Sequence, residues 1–129
     1  MHHLNETQLA QLKLQLNSDL IKIRASINTI FLKSDHASHH LAVKNLARLS
    51  ADELIEFTSK VENNELKDNV EQLKKLDASL VSIEQGMYGL CSDCESELLV
   101  ASLFENPTRQ RCPDCEQKYQ KHSYNKYRL

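Results

Sequence analysis

The chain has little of what turns or opens a fold. Its 129 residues include two glycines, two prolines and no tryptophan, and aromatic residues make up 5%. So few turn formers speak against a β-sandwich or an α/β enzyme. There is no glycine-rich loop to cradle a phosphate, and no nucleophile stands beside a local base, so catalysis has no positive support. No apolar run approaches the ~20 residues of a membrane span. Met1-His2-His3 is too short and polar for a signal peptide, and the two histidines carry no weight in the reading. The expectation is a cytoplasmic, non-enzymatic protein. The formal net charge is −2, too little to make the whole molecule an electrostatic sleeve for nucleic acid.

Charge is unevenly spread, however. Residues 1–50 carry six Lys/Arg against three Asp/Glu, residues 51–90 four against nine, and residues 91–129 six against six. Leu, Lys, Glu, Gln, Ser and Asn dominate, a mixture suited to long helices.

The four cysteines are the strongest chemical signal. Cys91-Ser92-Asp93-Cys94 and Cys112-Pro113-Asp114-Cys115 stand seventeen residues apart and contain every cysteine of the chain. Two Cys-x-x-Cys knuckles can aim four thiolates at one ion, the closed arrangement of structural zinc. Four sulfurs leave no open position for water, so the expected Zn2+ is structural and not catalytic. Two disulfides would require an oxidising compartment, and a thioredoxin-like redox pair would require a βαβ setting. Gly89 and Pro113 suit the sharp turns of the knuckles.

Upstream, Leu9, Leu12, Leu16, Leu20, Ile23, Ile27 and Ile30 recur at steps of three and four, which predicts one amphipathic helix over 4–33 with Asn5 as a candidate N-cap. Residues 34–49 read as a connecting segment with one or two helical turns, containing the cluster His36, His39 and His40. Those histidines stand at spacings that could share a helical face, yet solvated residues are the expected role over a second metal site. Ser50 followed by Glu53 forms a capping box and predicts a second long helix over about 51–85. Its seam runs Leu54, Phe57, Val61, Leu66, Val70, Leu73, Leu76 or Asp77, Leu80 and Ile83, with a five-residue step across Glu62-Asn63-Asn64-Glu65 where packing should change. Gly86 suits the end of that helix. The fold class expected is all-α dominated: a long antiparallel helical hairpin, or coiled coil, over 1–86 with its tip near 34–50. A small four-cysteine zinc-finger module follows over 87–129. A monomer is favoured over dimerisation because an internal partner loses less entropy. Leu98 to Leu103 reads as a strand or a short packed segment. The basic, tyrosine-rich end, with Lys118, Tyr119, Lys121, Tyr124, Lys126, Tyr127 and Arg128, reads as a helix leaving the second knuckle.

The long helices, then Gly86-Met87-Tyr88-Gly89-Leu90-Cys91-Ser92-Asp93-Cys94, then Pro107 five residues before the second knuckle, occur in an order that resembles the DksA/TraR family of bacterial transcription regulators. The likeness covers roughly residues 4–120 and is most specific where Tyr88-Gly89 joins the four-cysteine spacing. It implies direct binding of RNA polymerase by a hairpin inserted into the secondary channel, without sequence-specific DNA binding. In some members guanosine tetraphosphate acts with the protein. The family's tip carries Asp-x-x-Asp-x-Ala. Here Asp35-His36-Ala37 supplies the second half, Leu32 stands where the first aspartate belongs, and counting back from Cys91 points instead to Ala51-Asp52-Glu53. Asp35, Ala37 and Asp52 are therefore the candidate partner-binding residues. The rival expectation is a zinc-ribbon adaptor that binds nucleic acid or protein through its basic, tyrosine-rich tail.

Overall fold

A computed structural model describes residues 3–34, 37–61 and 63–126. It is helix-dominated, with six helices and no strand among the described residues. The first, α1 (Glu6–Lys33), follows from the leucine and isoleucine seam and from the absence of any breaker. Asn5 caps it: its side chain accepts from the Gln8 N–H, and the Gln8 side chain accepts from the Asn5 N–H. At 28 residues α1 is ~42 Å long.

The helix expected over 51–85 is two helices, α3 (Ala51–Ser59) and α4 (Asn64–Glu84). The five-residue step in the seam is a turn. Asn63 takes an extended backbone and its side chain accepts from the Leu66 N–H, which starts a new helix where the old one stops. The Ser50–Glu53 capping box starts α3 as expected. Within α3 the buried face is Leu54 and Thr58. Phe57, placed in the seam by the sequence, is partly exposed and leans on Phe31, with ring centroids 5.8 Å apart. Thr58 tolerates burial because its hydroxyl donates to the Leu54 carbonyl, 2.8 Å away.

Residues 34–49 hold more helix than the sequence suggests. The ten-residue α2 (Ala37–Leu46) packs on α1. The Arg24 guanidinium reaches the Leu49 carbonyl at 2.9 Å, so the chain after α2 has run back alongside the middle of α1.

Two apolar clusters line the long helices. Leu12 and Leu16 of α1 share one with Leu76 of α4, and Ile27 and Phe31 share the other with Leu66, Val70 and Leu73. The start of α1 therefore meets the end of α4. The distal cluster also takes Val43 and Leu46 from α2, and Leu54 from α3, so four helices close it. Leu76, and not Asp77, faces the core. The proximal cluster continues without a gap into the cysteine region through Leu4, Tyr88, Cys91, Leu98 and Leu103. Leu98 to Leu103 is no strand. It leads into a short helix, α5 (Val100–Glu105), before α6 (Pro113–Lys126). No helix among the described residues is long and apolar enough to cross a membrane.

Candidate metal centre

The first knuckle is a tight loop. Leu90 pairs with Glu97 across it, the Cys91 N–H donates to the Ser96 carbonyl at 2.8 Å, and the Glu95 N–H to the Cys91 carbonyl at 3.0 Å. Two residues on this path have left-handed backbone, Gly89 at φ 90° and Glu95 at φ 62°. Gly89 is also crowded: a Cβ there would come within 3.0 Å of Leu4 and 3.2 Å of the His3 ring. Glycine is thus required on two counts. Glu95 holds its conformation against its own Cβ.

The second knuckle is the first turn of α6. Pro113 is the first helical residue, where its missing N–H has no partner to lose. The Glu116 N–H donates to the Cys112 carbonyl at 2.9 Å. Cys112 and Cys115 therefore sit at the N-terminal end of a helix.

The four sulfurs lie within 4.8 Å of one another. Sulfurs bound at ~2.3 Å around a tetrahedral centre stand ~3.8 Å apart, and Cys94 Sγ to Cys112 Sγ is 3.8 Å. A disulfide would require ~2.0 Å, and all four cysteines are free thiols. Burial opposes ionisation of Cys91, yet the backbone N–H groups of Cys94, Cys112 and Asp93 outweigh it and lower the thiol to about 6. The Ser96 hydroxyl and backbone lower Cys94. Cys115 is pushed up to about 12, first by the neighbouring Cys112 sulfur. The thiols thus influence one another's ionisation, some favoured toward the thiolate by hydrogen bonds and Cys115 opposed by its neighbours. A divalent cation would relieve that crowding of negative charge. The donor set and its spacing fit a metal ion such as zinc.

No protein-family model, no curated protein and no solved structure matches this chain. The site must be read from its own parts.

Several of those parts escaped the sequence. Arg111 donates from Nε to Asp93 Oδ2 at 3.1 Å and lays its guanidinium over the Tyr119 ring at 3.8 Å. Asp93 lies inside the first knuckle, Arg111 just before the second, and Tyr119 on α6, so one side chain ties all three together. His3, given no role by the sequence, meets the Leu98 carbonyl at 2.7 Å and Glu97 at 3.3 Å, beside the buried Leu4. Tyr88 is buried, and its hydroxyl donates to the Pro107 carbonyl at 2.7 Å. That bond joins the two sequence marks noted before the knuckles. Burial pushes the Tyr88 phenol up to about 12.

The other candidates fall elsewhere. Asp35 and His36 lie outside the described residues, as do Tyr127 and Arg128 of the tail. Ala37 opens α2. Asp52 is exposed in the first turn of α3, beside Asp77 of α4. Burial, then the Asp52 carboxylate, then Glu84 raise the Asp77 carboxyl above its ordinary range. Asp77 stands ~20 Å along α4 from Asn64, so Asp52 belongs to the middle of the helical pair and not to its distal end. His39 and His40 both meet Ser34, by its hydroxyl and its carbonyl, and the His39 ring stands edge-on to Phe31. Among the described residues the only metal-competent cluster is the four cysteines.

Proposed function

We propose that this protein is a regulator that binds RNA polymerase directly, with one structural zinc fixing the base from which α1 and α4 project as an antiparallel hairpin. The observation that carries this reading is the four-cysteine cluster set behind the Tyr88–Gly89 turn, at the foot of a helix ~42 Å long. That combination is the part of the chain that resembles the DksA/TraR family. Physically, a long narrow pair of helices can enter a channel that a globule cannot, and a metal-held base limits how far it goes. Cys91, Cys94, Cys112 and Cys115 would hold the ion, which supplies cross-linking and no chemistry. No catalytic role is proposed. Asp35, with Ala37, is the acidic candidate for the far end. Asp52 is assigned to the shaft. Arg111 stacks on Tyr119, which favours a structural use of this aromatic over an adaptor surface.

The test is gel filtration of the purified protein with core RNA polymerase in the absence of DNA. Co-elution is expected, lost when another secondary-channel protein is added in excess. Asp35→Asn should leave co-elution intact and reduce the effect on open-complex lifetime at a sensitive promoter. Failure to co-elute, or co-elution indifferent to the competitor, would remove the polymerase reading.

A further inference from the structure

Helix α1 carries a second apolar face that nothing among the described residues covers. Its seam toward α4 is Leu12, Leu16, Ile27 and Phe31. On the opposite side stand Leu14, Ile21 and Leu32, exposed by 72%, 69% and 56%. Single exposed leucines need no explanation. These are seven and eleven residues apart, and both steps return to nearly the same angle on a helix. The positions between them at steps of three and four are Ser18, Ala25 and Asn28, small or uncharged, so no long charged side chain interrupts the stripe. Thr7 and Ala10 extend it, and there they line a shallow depression with Leu14, Glu6 and Gln11. The stripe from Leu14 to Leu32 runs ~27 Å, long enough for a partner helix of about five turns.

The flanks say what kind of partner fits. Along its whole length α1 carries Lys13, Lys22, Arg24 and Lys33 against Glu6 and Asp19, and Glu6 lies at the start of the helix, before Leu14. Lys22 and Lys33 border one side of the stripe, Lys13 and Arg24 the other. Arg24 is partly engaged with the Leu49 carbonyl, and Asp19 lies further round the helix, accepting from Gln15. A second copy of this face would set lysine against lysine, which disfavours self-pairing. We infer that this stripe docks an amphipathic helix of another protein, with an apolar seam flanked by glutamate or aspartate. The occupant pairs its acids with Lys13, Lys22 and Lys33 and covers Leu14, Ile21 and Leu32. This surface is separate from the cysteine cluster and does not depend on the polymerase reading.

Two synthetic helices test it without polymerase. Both carry leucine at the a and d positions of a heptad; one has glutamate at e and g, its twin lysine. Binding to the full-length protein is followed by fluorescence anisotropy at low and high salt. The acidic helix should bind, with affinity falling as salt rises, and its lysine twin should bind at least about tenfold more weakly. Ile21→Glu, at an exposed position, should keep the circular dichroism and melting of the parent and lose the acidic helix. The double change Lys22→Glu and Lys33→Glu should shift preference toward the lysine helix. Binding of neither helix, or equal binding of both, overturns the inference. So does a concentration-dependent dimer in sedimentation that Ile21→Glu dissolves, because the occupant is then a second copy.

Discussion

The proximal and distal ends of the long helices are closed by different means. At the distal end Ile27, Phe31, Leu46, Leu54, Leu66, Val70 and Leu73 meet from four helices, and apolar burial suffices to hold them. At the proximal end the chain after Gly86 contributes few large buried side chains: Tyr88, Leu98 and Leu103 beside Cys91. What remains is loop, one six-residue helix and the start of α6. So small a core needs a staple. The contrast teaches that one end is closed by burial and that the other, if the four cysteines hold the proposed metal, is closed by ligation, so that each end should fail separately.

Removing the metal should give the largest effect. Cys112→Ser, or a strong chelator, should release the proposed zinc and melt the region beyond Gly86, a loss comparable with the ~10–16 kcal/mol apparent affinity of small zinc modules. Metal analysis should give one zinc per parent chain and none in the variant. Amide exchange should accelerate across the knuckles and remain slow in α3 and the first half of α4. Simultaneous loss of both ends would abolish the distinction.

Phe31→Ala attacks the other end. Phe31 is 1% exposed and touches Phe57 and His39. Its truncation should cost ~3–5 kcal/mol. The variant should keep its zinc stoichiometry while α2 and α3 lose exchange protection. Zinc loss on this change would mean the two cores are one cooperative unit.

Gly89→Ala is a smaller insult to the proximal end, from left-handed backbone and contact with Leu4, and should cost ~1–3 kcal/mol. A thermal melt of the zinc-loaded protein reads it. Alkali should separate the ends more finely. The Tyr88 phenol is raised from 10 to about 12 by burial. The folded form therefore holds its proton more tightly than the unfolded chain. Stability from this group is complete below pH 10 and falls as pH rises toward 12. Phenolate absorbance should show one late-titrating tyrosine, absent in Tyr88→Phe, with no matching change at the distal core.

Much of this architecture was legible because it rests on local rules. The α1 seam, the Asn5 cap and the Ser50–Glu53 box each depend on neighbours within one helical turn. The four-cysteine cluster was legible from spacing alone. The turn at Asn63 showed only as an irregular step, because asparagine both tolerates a helix and caps one. Helix α2 was underestimated because its polar, histidine-bearing sequence is held by packing on α1. Arg111–Asp93 and His3–Leu98 were illegible for a plainer reason. Their partners lie 18 and 95 residues apart, beyond any periodicity.

That last separation bears on how the chain is assembled. His3 and Leu4 settle against Leu98, Gly89 and Leu103, residues synthesised long after them. Until the knuckles exist, His3 and Leu4 lack the surface on which they close, and the start of α1 has only α4 to pack on. The distal four-helix core draws on residues 27 to 73 and can form earlier. Folding on the ribosome should therefore run from the far end back toward the base. Capture of the proposed metal should come late, and the contact of His3 with Leu98 closes a loop across 95 residues.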